Sequence, residues 1–377
     1  MKKTIYVFLS LLLLVTVHTP KATAQSLPQG KGALRVMTYN VYQGTNFTAA
    51  LGATTPTEFL LGVGTEFSQV RATNPPERMK AVAKQIVAAA ATLVSLQEVS
   101  TWSSGPFNPT TFQCGELEVA FDMLQELLAA LAAEGAHYQV AVQAPMFDFP
   151  PFPGLILPGT FFCAQLSNYI VILTRSDINE NQFQWSNPQS GIFDAKLFFP
   201  IPGGGTLPVP RAWASLDGEF HGRPFRFIAS HLESGEEPII VAIRQQQGDE
   251  LRDGPAQTSL PVIIAFDSNA RADPVSPDPT YTDFLEAGYS DVWSGLAADD
   301  PGLTWGQSPT VDNPVSELSE RIDLILTLGD FNPQRVAVFG ATTDSMTPEG
   351  LWPSDHAGVA AQLGISGQQI ALPGGGP

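Results

Sequence analysis

Short runs of Val, Ile and Leu recur along this 377-residue chain, and most end at Gly, Pro, Asn, Asp or Ser. Runs of this length and composition are typical of β-strands. The pattern predicts ten strands, at residues 34–39, 93–97, 138–142, 169–173, 212–216, 225–230, 262–266, 322–326, 335–339 and 358–363.

Three other segments have the spacing of helices, at residues 76–91, 116–134 and 238–251. The first has Pro near its start and apolar side chains at Met79, Val82 and Ile86, which lie on one helical face. Alternating strands and helices indicate an α/β fold. Because too many strands follow one another for a single doubly wound sheet, we expect two packed sheets flanked by helices.

Two Pro-rich segments, residues 145–162 and 198–210, interrupt this pattern, and both hold too much Pro for central strands. The first also carries many Phe residues. We favour an extended loop whose aromatic rings pack on the outside of a sheet. The alternative is a hydrophobic lid or lipid-contacting surface near the functional site.

The amino terminus has the pattern of a secretory signal peptide, residues 1–24. Lys2 and Lys3 precede an apolar run at 5–17, and Ala22-Thr23-Ala24 matches a cleavage site. A transmembrane anchor is the alternative, but the run is well short of the ~20 residues that span a bilayer. We therefore expect a secreted or periplasmic protein whose catalytic domain comprises residues 25–377.

Export also bears on the two cysteines, Cys114 and Cys163. In an oxidising compartment a disulfide between them is the expected state, and two buried free thiols are the alternative.

The formal net charge is −18, and loss of the leader's lysines would make it more negative. This balance argues against extended binding to a nucleic-acid duplex, although a bound divalent cation can supply local positive charge.

Polar residues stand where several predicted strands end, which is where open sheets collect their catalytic groups. Asn40 and Glu98 follow the first two strands. A carboxylate such as Glu98 suits a hard cation, because Mg²⁺ prefers oxygen ligands and is commonly held by one or two carboxylates. Mn²⁺ and Ca²⁺ are alternatives.

Later strands end in groups suited to acid–base chemistry. His231 can donate a hydrogen bond to a phosphate oxygen, Asp267 can orient or deprotonate a water, and Asn269 offers an amide donor. An Asp323–His356 pair would raise the pKa of the imidazole and orient it, leaving Asp355 for the metal.

Six short motifs in this order resemble the endonuclease/exonuclease/phosphatase superfamily, also called deoxyribonuclease-I-like. They are Tyr39-Asn40-Val41, Leu96-Gln97-Glu98, Ser230-His231-Leu232, Asp267-Ser268-Asn269, Arg321-Ile322-Asp323 and Ser354-Asp355-His356. The resemblance implies a four-layer α/β sandwich with two mixed sheets. It also implies hydrolysis of phosphoester bonds with Mg²⁺ or a similar ion.

By motif position, the resemblance implies the same residue roles. Glu98 becomes the main metal ligand, with Asn40 and Asp355 near the metal or phosphate. Asp267 activates water, Asn269 and His231 contact phosphate or the transition state, and Asp323 supports His356. Arg211 and Tyr169 are weaker candidates for phosphate contacts. Phe266 stands where the family usually has Gly, so we expect it to crowd the turn that presents Asp267.

The substrate class is left open, because a shared fold does not choose a substrate. We place an exported metal-dependent phosphodiesterase or nuclease first. A sphingomyelinase-like lipid-headgroup phosphodiesterase or an inositol-phosphate phosphatase comes second. A catalytically silent binding protein is a remote alternative, since it would have little reason to keep all six motifs.

Overall fold

The computed structural model describes residues 32–202 and 204–365, and the predicted signal peptide lies outside them. Within these residues the chain forms strands and helices in alternation. The strands are β1 (Leu34–Asn40), β2 (Leu93–Asn108), β3 (Gln113–Cys114), β4 (Glu118–Asp122), β5 (Tyr138–Asp148), β6 (Phe152–Ile156), β7 (Thr160–Arg175), β8 (Phe183–Ile192), β9 (Leu197–Pro200), β10 (Thr206–Val209), β11 (Ala212–Phe220), β12 (Arg223–His231), β13 (Val262–Asp267), β14 (Ser290–Asp291), β15 (Asp323–Leu328), β16 (Phe331–Phe339) and β17 (Gly358–Ile365). The α-helices are α1 (Thr48–Leu51), α2 (Pro56–Ala72), α3 (Pro75–Ala89), α4 (Met123–Ala133), α5 (Pro238–Asp253), α6 (Pro279–Glu286) and α7 (Val292–Leu296), and Thr343–Ser345 form a 3₁₀ turn.

Two large sheets dominate the fold. The first has the strand order β16-β17-β1-β2-β7-β5, with β3 and β4 paired to β2 and β6 paired to β7. The second has the order β14-β15-β13-β12-β11-β8, and β9 and β10 form a separate hairpin. Both sheets are mixed, since β1 runs parallel to β2 and β12 parallel to β13, whereas most neighbouring pairs are antiparallel.

Alternating side chains along the strands separate the layers. In β1, Val36 packs in the core between the sheets, whereas Met37 and Tyr39 face a second apolar cluster with α3 and α4. In β13, Ile263 joins the central core and Ile264 faces a third cluster with α5 and α6. A period of two is expected when both faces of a sheet are covered. The predicted four-layer α/β sandwich is confirmed.

All ten predicted strands overlap observed ones, but one predicted helix is wrong in part. Residues 118–122 of the segment 116–134 form β4, which pairs with β2, and α4 begins only at Met123. Asp122 marks the change, because its carboxylate accepts a hydrogen bond from the backbone N–H of Gln125 at 3.1 Å and caps the helix.

The structure also corrects the prediction for the two Pro-rich segments. Residues 145–162 are the end of β5, all of β6 and the start of β7, rather than an extended loop. Pro145 is tolerated because β5 is an edge strand with a register shift beside it. Residues 198–210 contain most of the β9–β10 hairpin.

The predicted disulfide is present between Cys114 and Cys163, whose Cα atoms are 5.8 Å apart. It links β3, which pairs with β2, to β7 of the first sheet. Among the helices in residues 32–202 and 204–365, none combines the length and apolar character needed to cross a bilayer.

Candidate active site

Strand ends from both sheets meet at one cavity of about 330 Å³. Strands β1, β12 and β13 have their carboxyl ends at this edge, β2 passes it at Glu98, and antiparallel β15 begins here. The predicted site residues that line the cavity are Glu98, Arg211, His231, Asp267, Asn269, Asp355 and His356. Residues up to 258 positions apart in the chain are thus joined at one site by the sheet topology.

Asp267 lies at the centre of the polar groups. Its Oδ2 is 3.3 Å from His231 Nε2 and 3.7 Å from His356 Nε2, and it accepts a hydrogen bond from Asn40 Nδ2 at 2.9 Å. Its Oδ1 accepts the backbone N–H of Asn269 at 3.0 Å. Burial raises the pKa of Asp267 to about 6, with a further upward contribution from Asp323. This carboxylate is therefore poised to take up a proton near neutral pH.

His356 and Asp323 form the expected pair, with His356 Nδ1 2.8 Å from Asp323 Oδ2. Burial opposes a charge on this imidazole. The carboxylates of Asp323, Asp267 and Asp355 outweigh burial and hold the pKa of His356 well above its usual range. The ring is thus held as a cation whose Nε2 faces Asp267 and the cavity.

His231, unlike His356, is held as a neutral imidazole. Burial lowers its pKa well below the usual value, and the neighbouring Arg211 and His356 lower it further. Arg211 Nη1 lies 3.2 Å from His231 Nε2, while Arg211 Nη2 makes a buried salt bridge to Glu233 Oε1 at 2.9 Å. The site therefore contains one neutral and one cationic imidazole on the same carboxylate.

Glu98 lies in a β-bulge of β2, where the pairing with β7 shifts between Leu96 and Val99. Its φ is +58°, a left-handed conformation that is uncommon for a residue with a side chain. Glu98 Oε2 accepts the backbone N–H of Gln43 at 2.9 Å, and the half-buried carboxylate lines the cavity. The bulge thus re-aims the side chain that the sequence assigns to the metal.

The electrostatics of Asp355 fit a cation between it and Glu98. Burial raises the pKa of Asp355 to about 7, and the negative charge of Glu98 raises it further. A divalent cation would relieve this repulsion, and carboxylate oxygens are the ligands that Mg²⁺ prefers. Ligand atoms of Asp267, Asp323 and His356 also lie within 4.8 Å of one another. The hydrogen bond between His356 and Asp323 accounts for that second group, and the assignment of Glu98 and Asp355 to the metal stays a prediction.

Asn40 and Asn269 are both at the site, with their side-chain amides already engaged. Asn40 Oδ1 accepts the backbone N–H of Tyr42 at 3.0 Å while its Nδ2 orients Asp267. Asn269 has φ +49° and donates from Nδ2 to the carbonyl of Leu232 at 3.0 Å. These contacts make Asn40 a positioning residue for Asp267, and its role as a metal ligand stays a prediction.

Two expectations do not hold. Tyr169 is not among the residues that line the cavity, and its ring packs against the outer cluster beneath α3 and α4. Phe266 does not crowd Asp267, because successive side chains of a strand point to opposite faces. Its fully buried ring lies in the α5–α6 layer, 5.6 Å from Phe284 between centroids.

Two further buried charged residues, Arg78 and Glu233, lie near the site. Glu233 follows His231 by two positions, and its place among Ser230, His231 and Ser234 is the signal that the sequence offers. Arg78 donates hydrogen bonds to the carbonyls of Val41 at 2.9 Å and Pro353 at 3.0 Å, which joins the loop after β1 to the loop before β17. Its place in an amphipathic helix provided no such signal.

The Endonuclease/Exonuclease/phosphatase family model matches residues 37–356, which include every motif residue of the site. The chain belongs to this family. Members of the Endonuclease/Exonuclease/phosphatase family are hydrolases of phosphoester bonds and use divalent metals, and the site residues are of the types this chemistry needs. No curated protein sequence matches the chain significantly.

Several solved structures share the fold. A Bacteroides thetaiotaomicron family protein is 16% identical, with a TM-score of 0.54 over 88% of this chain and 97% of that chain. The mannosyl-6-phosphatase of Bacteroides thetaiotaomicron VPI-5482 is also 16% identical, with a TM-score of 0.53 over 88% and 99%. Humanized D. rerio TDP2 has 16% identity and a TM-score of 0.52 over 88% and 98%. At such identities the likeness shows the fold alone.

Proposed function

We propose that this chain is a divalent-metal-dependent phosphoester hydrolase in which Asp267 activates the attacking water. The observation that carries the proposal is the position of Asp267 between a neutral and a cationic imidazole, with Asp323 paired to His356. A neutral His231 and a cationic His356 offer different chemistry to one phosphate. Such divergent pKa values at one site are a mark of acid–base assignment.

In the proposed reaction the water oxygen attacks phosphorus and the ester P–O bond breaks. Asp267 receives the proton of the water, and its pKa of about 6 suits a base at neutral pH. His356 donates from Nε2 to a nonbridging phosphate oxygen, and Asp323 keeps its ring charged and oriented. The released alcohol takes a proton from solvent.

Glu98 and Asp355 would hold the cation, which when bound supplies positive charge to the phosphate oxygens. Asn269 lines the cavity beside Asp267 and provides a polar side chain near the developing charge. Arg211 supplies fixed positive charge, and Glu233 holds its guanidinium in place. Magnesium is the expected ion, with manganese or calcium as alternatives.

The test is hydrolysis of p-nitrophenyl phosphate and bis-p-nitrophenyl phosphate by residues 25–377. Activity should disappear with EDTA and return with Mg²⁺ or Mn²⁺. Asp267→Asn should lower kcat about 10³-fold with the fold retained, because it removes the base. Asp299→Asn, at an exposed aspartate, is the matched control. Full activity of Asp267→Asn, or indifference to EDTA, would overturn the proposal.

Glu98→Gln tests the assignment of the cation. Loss of one carboxylate should raise the Mg²⁺ concentration needed for half-maximal activity at least tenfold, with partial rescue at high Mg²⁺. Glu116→Gln, at an exposed residue, serves as its control. An unchanged metal requirement would show that Glu98 does not hold the ion.

Export by a cleaved signal peptide is a second part of the proposal. It is supported by Lys2 and Lys3, the apolar run and Ala22-Thr23-Ala24. Expression of the full chain in a bacterial host should yield a product outside the cytoplasm that begins after Ala24. Amino-terminal sequencing of the exported fraction checks this, and a cytoplasmic product that retains Met1 would refute it.

A further inference from the structure

The catalytic cavity continues from its polar groups into an apolar region that hydrolysis of a phosphoester does not by itself require. Three pairs of elements surround this region: α1 with α2, β5 with β7, and the β9–β10 hairpin. Its walls include Phe47, Phe149 and Phe152, and Phe147 stacks on Phe149 at 4.5 Å between centroids. We call this part of the cavity the apolar region.

The β9–β10 hairpin gives the clearest evidence that this surface is built to face the cavity. Cross-strand partners Leu197 and Val209, and Phe199 and Leu207, are half-buried and line the cavity. The alternate residues are exposed, and Phe198 between them has 57% of its surface accessible. The hairpin pairs with neither large sheet, so these side chains have no sheet core to fill.

The charges around the cavity limit the phosphate part of the ligand. Among the cavity-lining residues in the described parts of the chain, Arg211 is the one with a fixed positive charge. Glu66, Glu98 and Glu233 line the same cavity. A nucleic acid or an inositol polyphosphate presents several phosphates and needs several Lys or Arg side chains. One phosphoester beside one apolar group fits this distribution better.

We propose that the substrate is a phosphoester of an apolar alcohol, whose aliphatic or aromatic group occupies the apolar region while its phosphate meets Asp267 and His356. The proposal rests on the hydrolase function proposed above. It changes the order of the candidate substrates, placing an amphiphilic phosphoester ahead of nucleic acid and inositol phosphate. The source is either a membrane lipid or a soluble alkyl or aryl ester, which share this chemistry.

The first experiment measures kcat/KM for methyl, butyl and hexyl phosphates and the corresponding alkyl phosphocholines, all below their critical micelle concentrations. Burial of each methylene should raise kcat/KM about threefold to fourfold until the cavity is filled. Equal values for methyl and hexyl esters would overturn the proposal. If the wild type still hydrolyses the methyl esters and Asp267→Asn does not, the hydrolase function holds although the substrate proposal fails.

A matched pair of variants then tests the hairpin. Phe199→Asn places a polar group on the cavity side and should lower the hexyl-to-methyl ratio of kcat/KM about tenfold. Phe198→Asn changes the neighbouring, outward-facing residue and should leave the ratio unchanged. Leu207→Asn repeats the test from the opposite strand in case Phe199→Asn misfolds. Equal ratios in the wild type and in folded Phe199→Asn and Leu207→Asn would refute the assignment.

Binding provides a readout that does not need turnover. In calorimetry with Asp267→Asn, hexyl phosphate should bind more tightly than methyl phosphate, with a negative heat-capacity change from apolar burial. Equal affinities would contradict the proposal even if no ester is hydrolysed. The hexyl-to-methyl ratio should also be independent of enzyme concentration. A ratio that falls as the protein self-associates would assign the apolar surface to a second copy and overturn the proposal.

The last arm distinguishes the two sources, using vesicles of phosphatidylcholine and sphingomyelin in equal parts. Release of phosphocholine from these vesicles, together with the chain-length effect, identifies a membrane lipid as the source. The chain-length effect with intact vesicles identifies a soluble ester. Both results support the apolar group, whereas rapid degradation of plasmid DNA or RNA with no chain-length effect would refute it.

Discussion

The two ends of the cavity are built in different ways. At the polar end, side chains leave the ends of hydrogen-bonded strands, and each catalytic group contacts another, as Asp267 contacts His231 and Asn40. At the apolar end, connecting helices and hairpins supply rings that pack without directional contacts. Gly64 of α2 illustrates the close approach, since a Cβ there would overlap the carbonyl of Leu155. At the polar end, contacts between side chains fix the position of the catalytic groups. The apolar end needs only a suitable shape and apolar walls.

The largest expected effect is at the polar end. Asp323→Asn should lower kcat about 10³-fold, because the amide cannot keep the His356 ring charged and oriented. The loss should be non-additive, so that the Asp323→Asn/His356→Ala double variant is no slower than His356→Ala alone. Steady-state kinetics on the three variants measure this. Additive losses would show that the two residues act independently.

The buried ion pair between Arg211 and Glu233 lies at the same end, and removal of one partner alone should lower the unfolding free energy. Arg211→Met leaves the carboxylate of Glu233 buried without its partner and should cost about 3 kcal/mol of unfolding free energy. Arg211→Met/Glu233→Met should recover most of this stability while activity stays low, since the fixed positive charge is gone. Urea unfolding and kcat/KM are measured together. A double variant as unstable as the single would mean that packing, not charge, sets the cost.

The stability of the apolar end is expected to depend more on the disulfide between Cys114 and Cys163. Cys114→Ala/Cys163→Ala opens a loop with a sequence separation of 49 and should lower the unfolding free energy by about 2 to 4 kcal/mol. The polar groups are remote from this bond, so hydrolysis of a methyl ester at 25 °C should persist. Urea unfolding and methyl-ester kinetics check both parts. Loss of methyl-ester activity in the folded variant would show that the two ends are coupled.

The smallest expected effect is at Glu126, which lies outside both ends of the cavity and serves as a reference. Burial raises the pKa of Glu126 in α4 to about 7, from an ordinary value of 4.5. Between these pH values the folded chain keeps a proton that the unfolded chain releases, so this group lowers stability as pH rises from about 4.5 to 7. Because Glu126 is half-exposed, solvent screening limits the effect to about 1 kcal/mol.

Glu126→Gln should remove this part of the pH dependence, and Glu134→Gln, at an exposed position of the same region, should not. Unfolding free energies measured from pH 4.5 to 7 compare the two variants with the wild type. Identical slopes in all three would show that Glu126 titrates normally in the folded protein.

Local structure was predictable where the sequence carried a local signal. The strand at 262–266 is uniformly apolar and ends in Asp267, and its observed bounds, Val262–Asp267, differ by one residue. Helix α2, which the strand and helix pattern does not predict, still has a local start signal: Thr55 caps it, Pro56 begins it and Glu58 completes a capping box. The segment 116–134 misled because its helical spacing begins within β4, whose pairing with β2 no local pattern reveals.

Sequence by itself determined the motif residues and their order, since a strand followed by a polar group is a local pattern, and it identified the family. Tertiary structure decided which of those groups meet. It placed Asp267 between His231 and His356, re-aimed Glu98 through a bulge and turned Tyr169 away. It also brought Phe47, Phe149 and Phe199 into one cavity wall. Because the hydrophobic effect is non-directional, the sequence of the three segments does not show that their apolar residues line one cavity.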